Sequence, residues 1–264
     1  MDCPVLIYCA SGNRPLMEIA VAAGFQYGAQ LPATVYGPLY FADQDWKKPN
    51  RVAYMAALAR HRPTLATVLD WERDGQLPEV LDWAEEAAQW TERVLIVPKV
   101  IGGIGRLPRC VGGKDIVLAY SVPTRYAGTQ VPAWEFAGWP IHLLGGSPQA
   151  QMRVWLILRG IADVVSADGN YAQKMAMRYC QFFVPGTATY AVNRWWPTLD
   201  EADGARWGKD GPYEAFRRSC ENIIAFWQSV RHASMRARGE ASARGTRWTT
   251  RNPRVTSHYG LRGS

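Results

Sequence analysis

The sequence predicts an α/β protein: a (β/α)8 TIM-type barrel, complete or truncated, carrying a C-terminal helical extension and a basic tail. Three observations predict it. Short apolar runs alternate with amphipathic segments of helical spacing, the pattern of right-handed βαβ units and a parallel sheet. Several of those runs end in a carboxylate, where a barrel keeps its chemistry. The chain has 264 residues, the usual size of one such barrel.

In chain order, Val5 to Cys9 is an apolar run and reads as the first strand, and Arg14 to Ala23 has helical spacing that stops at Gly24. Residues 35–45 read as a strand ending in Asp43 and Asp45. Asn50 to His61 is a helix closed before Pro63. Leu65 to Leu69 is β-rich and ends at Asp70, with Glu72 just beyond; Leu77 to Thr91 is an acidic amphipathic helix. Arg93 to Val100 and Asp115 to Val122 read as strands. The most informative stretch begins at Pro140. Ile141 to Leu144 is an apolar strand, and Gly145-Gly146 permits a tight turn. Ser147 is a good N-cap and Pro148 fits the first helical position. The helix from Gln149 to Gly160 leads to the strand Val164 to Ala167, which delivers Asp168 at its end. Gln173 to Phe183 is helical, Pro185-Gly186 breaks it, and a further helix spans about Pro212 to Val230. The expected divisions are a barrel over residues 1–186, an aromatic-rich helical extension over 187–230 and an Arg-rich flexible tail over 231–264.

Composition narrows the function. Hydrophobic residues make up 48% of the chain, enough for a large core. No segment has the roughly 18 uncharged apolar residues of a membrane span, and the N-terminus lacks the basic region of a signal peptide. Five scattered cysteines favour a reducing cytoplasm over a disulfide framework or a Cys-x-x-Cys zinc site. None of the four histidines has metal-ligand spacing, and His142, inside a strand, reads as a core histidine; no metal or cofactor is expected. Gly102-Gly-Ile-Gly105 lacks the context of a dinucleotide fingerprint. Charge is unevenly placed: residues 231–264 hold eight arginines and one acid, a net +7 that equals the net charge of the whole chain. Arg236, Arg238, Arg244, Arg247, Arg251 and Arg254, with Trp248 and Tyr259 among them, are candidate nucleic-acid contacts.

Taken singly, each strand-end aspartate is most simply a turn or cap residue. Their recurrence raises the functional reading, because paired carboxylates in one mouth suit chemistry at a sugar carbon. Several segments then resemble tRNA-guanine transglycosylases. His142-Leu-Leu-Gly-Gly-Ser-Pro-Gln149 is similar to their Leu-Met-Gly-Val-Gly-x-Pro-Glu, and Gly160 to Asp168 resembles the strand that delivers their nucleophilic aspartate. Phe41-Ala-Asp43, Val68-Leu-Asp70 and Ile96 to Gly103 occupy the places of three further family segments. The simplest alignment puts Ser166 under the nucleophile, and Asp168 shares its strand face. The family's Cys-rich zinc motif is absent. With the short length and the Arg tail, that absence is closer to the phage-type relatives that place 7-deazaguanine bases in DNA.

The resemblance implies exchange of guanine in DNA for a base such as 7-cyano-7-deazaguanine, through a covalent aspartyl-sugar intermediate. Asp168 would attack C1′ and Asp43 would transfer the proton. Asp70 would accept hydrogen bonds from the base, while Gly145, Gly146, Ser147, Lys99 and Asn170 would line the substrate site. DNA is the expected partner, with tRNA as the alternative acceptor, and the expected location is the cytoplasm (the host's, for a phage-encoded chain). Hydrolysis on the same carboxylates, and a non-catalytic nucleic-acid-binding protein, stay open beside it.

Overall fold

The computed structural model describes residues 3–10, 12–124, 128–185 and 196–248, with the backbone alone for 231–248. Eight parallel strands close on themselves: β1 (Val5–Cys9), β2 (Gln26–Leu31), β3 (Phe41–Gln44), β4 (Leu65–Thr67), β5 (Arg93–Ile96), β7 (Lys114–Ser121), β8 (Pro140–Leu144) and β9 (Asp163–Gly169). A short strand, β6 (Cys110–Val111), forms an antiparallel hairpin with β7. Pairing of β5 with β7 and of β9 with β1 completes the ring. This is the (β/α)8 TIM-type barrel that the alternating pattern predicts.

Alternation along the strands separates two apolar layers. Ile7, Phe41, Leu65, Leu95, Val97, Val117 and Ala119 fill the interior of the barrel. Their neighbours Leu6, Ala42, Ala66, Val94, Ile96, Leu118, Ile141 and Leu143 face outward, into the larger core beneath the helices. Strand β2 escaped the sequence reading: Tyr27, Ala29 and Leu31 alternate toward the outer core, but its inward positions are Gly28 and Gln30, so it lacks the apolar run that marks the other strands. Gly28 is required by packing: a Cβ there would lie 2.9 Å from Ile7 Cγ2 and 3.1 Å from Phe41 Cδ1.

The helical coat is uneven. Helices α1 (Arg14–Ala22), α2 (Arg51–His61), α3 (Leu77–Ala87) and α4 (Pro148–Leu158) fill four crossovers, and α5 (Tyr171–Tyr179) follows β9. Asn13, Asn50 and Ser147 cap α1, α2 and α4 by accepting from Leu16, Ala53 and Ala150 N–H groups. The crossover from β5 to β7 carries a short 3-10 turn and β6 instead, and that from β7 to β8 a 3-10 turn at Ala133–Phe136. After the short α6 (Leu199–Asp203), the long α7 (Gly211–Trp248) packs on α1 and α5. Its Phe216 meets Tyr8 at 5.2 Å and its Trp227 meets Trp155 edge-on at 6.2 Å. The extension therefore seals the outside of the β1–β9 seam.

Helix α7 runs to Trp248, so residues 231–248, expected as a flexible tail, have helical backbone. The packed segment before Val230 supplies the costly helix nucleus, and the Ala-, Arg-, Met- and Glu-containing continuation only propagates it. Arg251 and Arg254 lie outside the described residues, as do the side chains of Arg236, Arg238, Arg244 and Arg247. No helix among the described residues is long and apolar enough to cross a membrane.

Interior packing sets the stability. Phe41 is fully buried at the barrel centre. Phe41→Ala is expected to cost about 3–5 kcal/mol in urea unfolding. Val52→Ala, at a position 81% exposed, should change stability by less than about 0.5 kcal/mol. Equal effects at the two positions would contradict the assigned interior.

Candidate active site

The C-terminal ends of the strands bring the predicted carboxylates to one mouth. Phe41, Ala42 and Asp43 alternate in, out and in along β3, and Leu65, Ala66 and Thr67 do the same along β4. Strand β9 needs more than alternation. Ile141 pairs with Val164 but His142 pairs with Ser166, so Val165 is an extra residue, a β-bulge. Val164 faces the outer core and Val165 the interior. The bulge shifts the phase, so that Ser166 and Asp168 turn inward and Ala167 outward. Without it, Asp168 would point at the helices. Asp163 lies at the other end of β9, far from the mouth.

Asp168 sits in a cradle. Its Oδ1 accepts from the Gly145 N–H at 2.9 Å and lies 3.1 Å from His142 Nε2. The other ring nitrogen of His142, Nδ1, is 2.8 Å from Ser166 Oγ. Gln151, on α4, donates through Nε2 to the Asp168 carbonyl at 2.6 Å and to the Gly145 carbonyl at 2.9 Å, tying the ends of β8 and β9 together. The turn from β8 into α4 depends on Gly146, whose φ is +86° and whose added Cβ would meet Val122 Cγ1 at 2.6 Å.

Asp43 stands across the mouth, its Oδ1 3.2 Å from the Thr67 hydroxyl. Tyr54, reaching from α2, donates to the Thr67 carbonyl at 2.7 Å and fixes the strand end behind the pair. Burial pushes the Asp43 carboxyl up to about 8, helped by the charges of Asp168 and Asp70; the Thr67 hydroxyl and the Gln44 N–H oppose the rise. Asp43 is therefore held toward its protonated form around neutral pH. Burial also raises Asp70, against the pull of Lys99. The Lys99 ammonium bridges Asp70 at 2.7 Å and Glu72 at 3.0 Å. Burial works against that ammonium, but the two carboxylates prevail and its pKa is raised. Burial, then the Asp168 and Asp43 charges, holds the Cys9 thiol well above its ordinary range, so it is neutral.

The structure brings together Asp43, Asp70, Lys99 and Asp168. The Gly145 N–H, expected to line the substrate site, donates to Asp168 instead. The Ser147 hydroxyl is engaged as the α4 cap, 3.2 Å from the Ala150 N–H. Asn170 occupies the N-cap position of α5 without making a capping bond, and its side chain lines a cavity beside Asp168. That cavity, ≈ 30 Å³, has room for about one water. Sequence reasoning missed Gln151 and the role of His142. The available signal was register: His142 precedes the Gly-Gly turn by one inward step, opposite the strand that carries Ser166 and Asp168. Among the described residues no group of three or more His, Cys, Asp or Glu side chains is arranged to hold a metal.

The Asp43 shift makes stability depend on pH. The group binds its proton more tightly folded than unfolded, about 8 against 3.8. Its contribution is thus complete below pH ~4 and is lost as pH rises through ~8. Asp43→Asn should flatten this dependence and, at pH 9, exceed wild type by ~1 kcal/mol or more. Thermal unfolding of both proteins at pH 5, 7 and 9 checks this; a pH-invariant difference would contradict it.

No curated protein and no solved structure matches the chain. A family model does, over residues 18–228, a span holding most of the barrel and every residue of the mouth described above except Cys9, but not the arginines from Arg236 onward. The chain belongs to DUF6610, a family of unknown function.

Proposed function

We propose that the barrel mouth catalyses transfer at the C1′ carbon of a nucleotide, exchanging guanine in DNA for a 7-deazaguanine base. The observation that carries this reading is the pair Asp43 and Asp168: one carboxyl group held protonated near neutral pH beside a carboxylate anchored by N–H donors. Two carboxyl groups whose environments divide acid from base are the working parts of glycosidic-bond chemistry. Asp168 attacks C1′ and the N-glycosidic bond breaks. Asp43 delivers its proton to the departing guanine, which leaves neutral. The incoming base then gives its ring proton to Asp43, attacks C1′ and releases Asp168, so configuration is retained after two displacements.

The surroundings support the same reading. Asp70 and Lys99 offer an acceptor and a cation side by side at the rim, matched to the amino, ring N–H and carbonyl groups of a purine. The arginines from Arg236 to Arg254 are the proposed phosphate contacts, which would make binding strongly salt-dependent. A duplex target must be flipped out of its stack to reach the mouth, at a cost of a few kcal/mol.

Incorporation of labelled guanine into duplex DNA, with unmodified tRNA in parallel, tests the reading. Asp168→Ala should abolish exchange and the covalent protein–DNA adduct; Asp43→Asn should slow exchange by roughly 10²–10⁴-fold. Label entering tRNA alone would replace DNA as the acceptor. Guanine released without incorporation would make the protein a hydrolase, and no chemistry at all would leave a binding protein.

The pH–rate profile offers a separate check. Because Asp43 must be protonated to act as the acid, the rate should fall above pH ~8, the value to which burial pushes it. Asp43→Asn should lack this alkaline limb. A wild-type rate still rising through pH 10 would remove Asp43 from the acid role.

A further inference from the structure

We propose that His142 is the positioning residue for Asp168, and that Oδ2 of Asp168 is the oxygen that reacts. The inference rests on the reading of Asp168 as the nucleophile and deepens it.

His142 is fully buried in the barrel, with the Phe41 ring 5.1 Å from its own. An imidazole there needs partners for both nitrogens, and it has them: Asp168 Oδ1 on Nε2 and Ser166 Oγ on Nδ1. A carboxylate can only accept, so Nε2 carries the hydrogen and donates. In the proposed arrangement Nδ1 is bare, and the Ser166 hydroxyl, itself 2% exposed, donates to it. The proposed chain runs from Ser166 O–H to His142 Nδ1 and from His142 Nε2–H to Asp168 Oδ1.

Oδ1 also takes the Gly145 N–H, so two donors from β8 and its turn converge on one oxygen. Oδ2 receives no hydrogen bond among the described residues. An oxygen with two N–H donors is a weakened nucleophile, whereas its partner keeps its lone pairs for C1′. Fixing Oδ1 also stops rotation of the carboxylate, which aims Oδ2. The bulge in β9 sets up the chain, because it seats Ser166 opposite His142 while keeping Asp168 on the same face.

Two measurements on the full chain test this. In ¹⁵N-histidine NMR at neutral pH, the His142 signals, assigned by their loss in His142→Gln, should show Nε2 protonated and Nδ1 bare. Ser166→Ala should shift that tautomer balance. A ring protonated on Nδ1 alone, or on both nitrogens, would overturn the proposal whether or not the protein exchanges bases. In exchange kinetics, His142→Phe should lower kcat on the order of 100-fold with KM little changed. His142→Gln, whose amide offers a donor and an acceptor in one side chain, should stay within about tenfold of wild type. Ser166→Ala, the mildest change, should lower kcat about tenfold and guards against misfolding of the buried variants. Loss in KM instead of kcat, or equal losses in Gln and Phe variants of matched Tm, would overturn it. If wild type shows no exchange, the functional reading fails while the NMR result still decides whether His142 anchors Asp168.

Discussion

Closure of the ring through the pairing of β5 with β7 is the constraint on which the rest depends. An open sheet would leave its edges free and its inward side chains in water. Closed, the eight strands leave an interior that Ile7, Phe41, Leu65, Leu95, Val97, Val117 and Ala119 fill completely. Polar side chains from the next step along the strands then have one place to go, the C-terminal mouth. Asp43, Thr67, His142, Ser166 and Asp168 meet there although more than a hundred residues separate the first from the last.

That convergence has an electrostatic consequence. The apolar plug beneath the mouth removes water from the floor of the site, and carboxyl groups crowd above it. Desolvation and mutual repulsion push against ionisation at Asp43, while Gly145 N–H and His142 Nε2 fix the position of the Asp168 carboxyl group. The cost falls on stability, and the tightly packed outer layer, with Tyr54 and Trp71 fully buried, supports the arrangement.

The outer coat is less regular than the barrel. Where the crossovers after β5 and β7 lack long helices, the 3-10 turns bury Ile104 and Phe136 against the same core. On the opposite side, α7 brings Phe216 and Trp227 onto the β1–β9 seam, next to the strand that carries Asp168. The C-terminal helical extension is thus part of what holds the strand of Asp168 in place.

Much was legible in the sequence because it is local. Ser147-Pro148 announces the start of α4, Asn50 caps α2, and the apolar runs at Val5, Leu65, Arg93 and Ile141 mark strands, since caps and periodicity act within a few residues. The recurrence of Asp43, Asp70 and Asp168 at strand ends was legible for the same reason. The need for a glycine at 28 in β2 was not, because it is dictated by Ile7 and Phe41 on neighbouring strands. Neither was the part His142 plays, nor the engagement of the Gly145 N–H by Asp168, since both arise between strands. The sequence by itself determined the barrel and the residues at its mouth. The tertiary structure decided their direction and protonation: a one-residue bulge in β9 sets which face Asp168 presents, and burial beside other carboxylates sets whether Asp43 holds its proton. Register and desolvation are properties of neighbours in space, which a linear pattern does not encode.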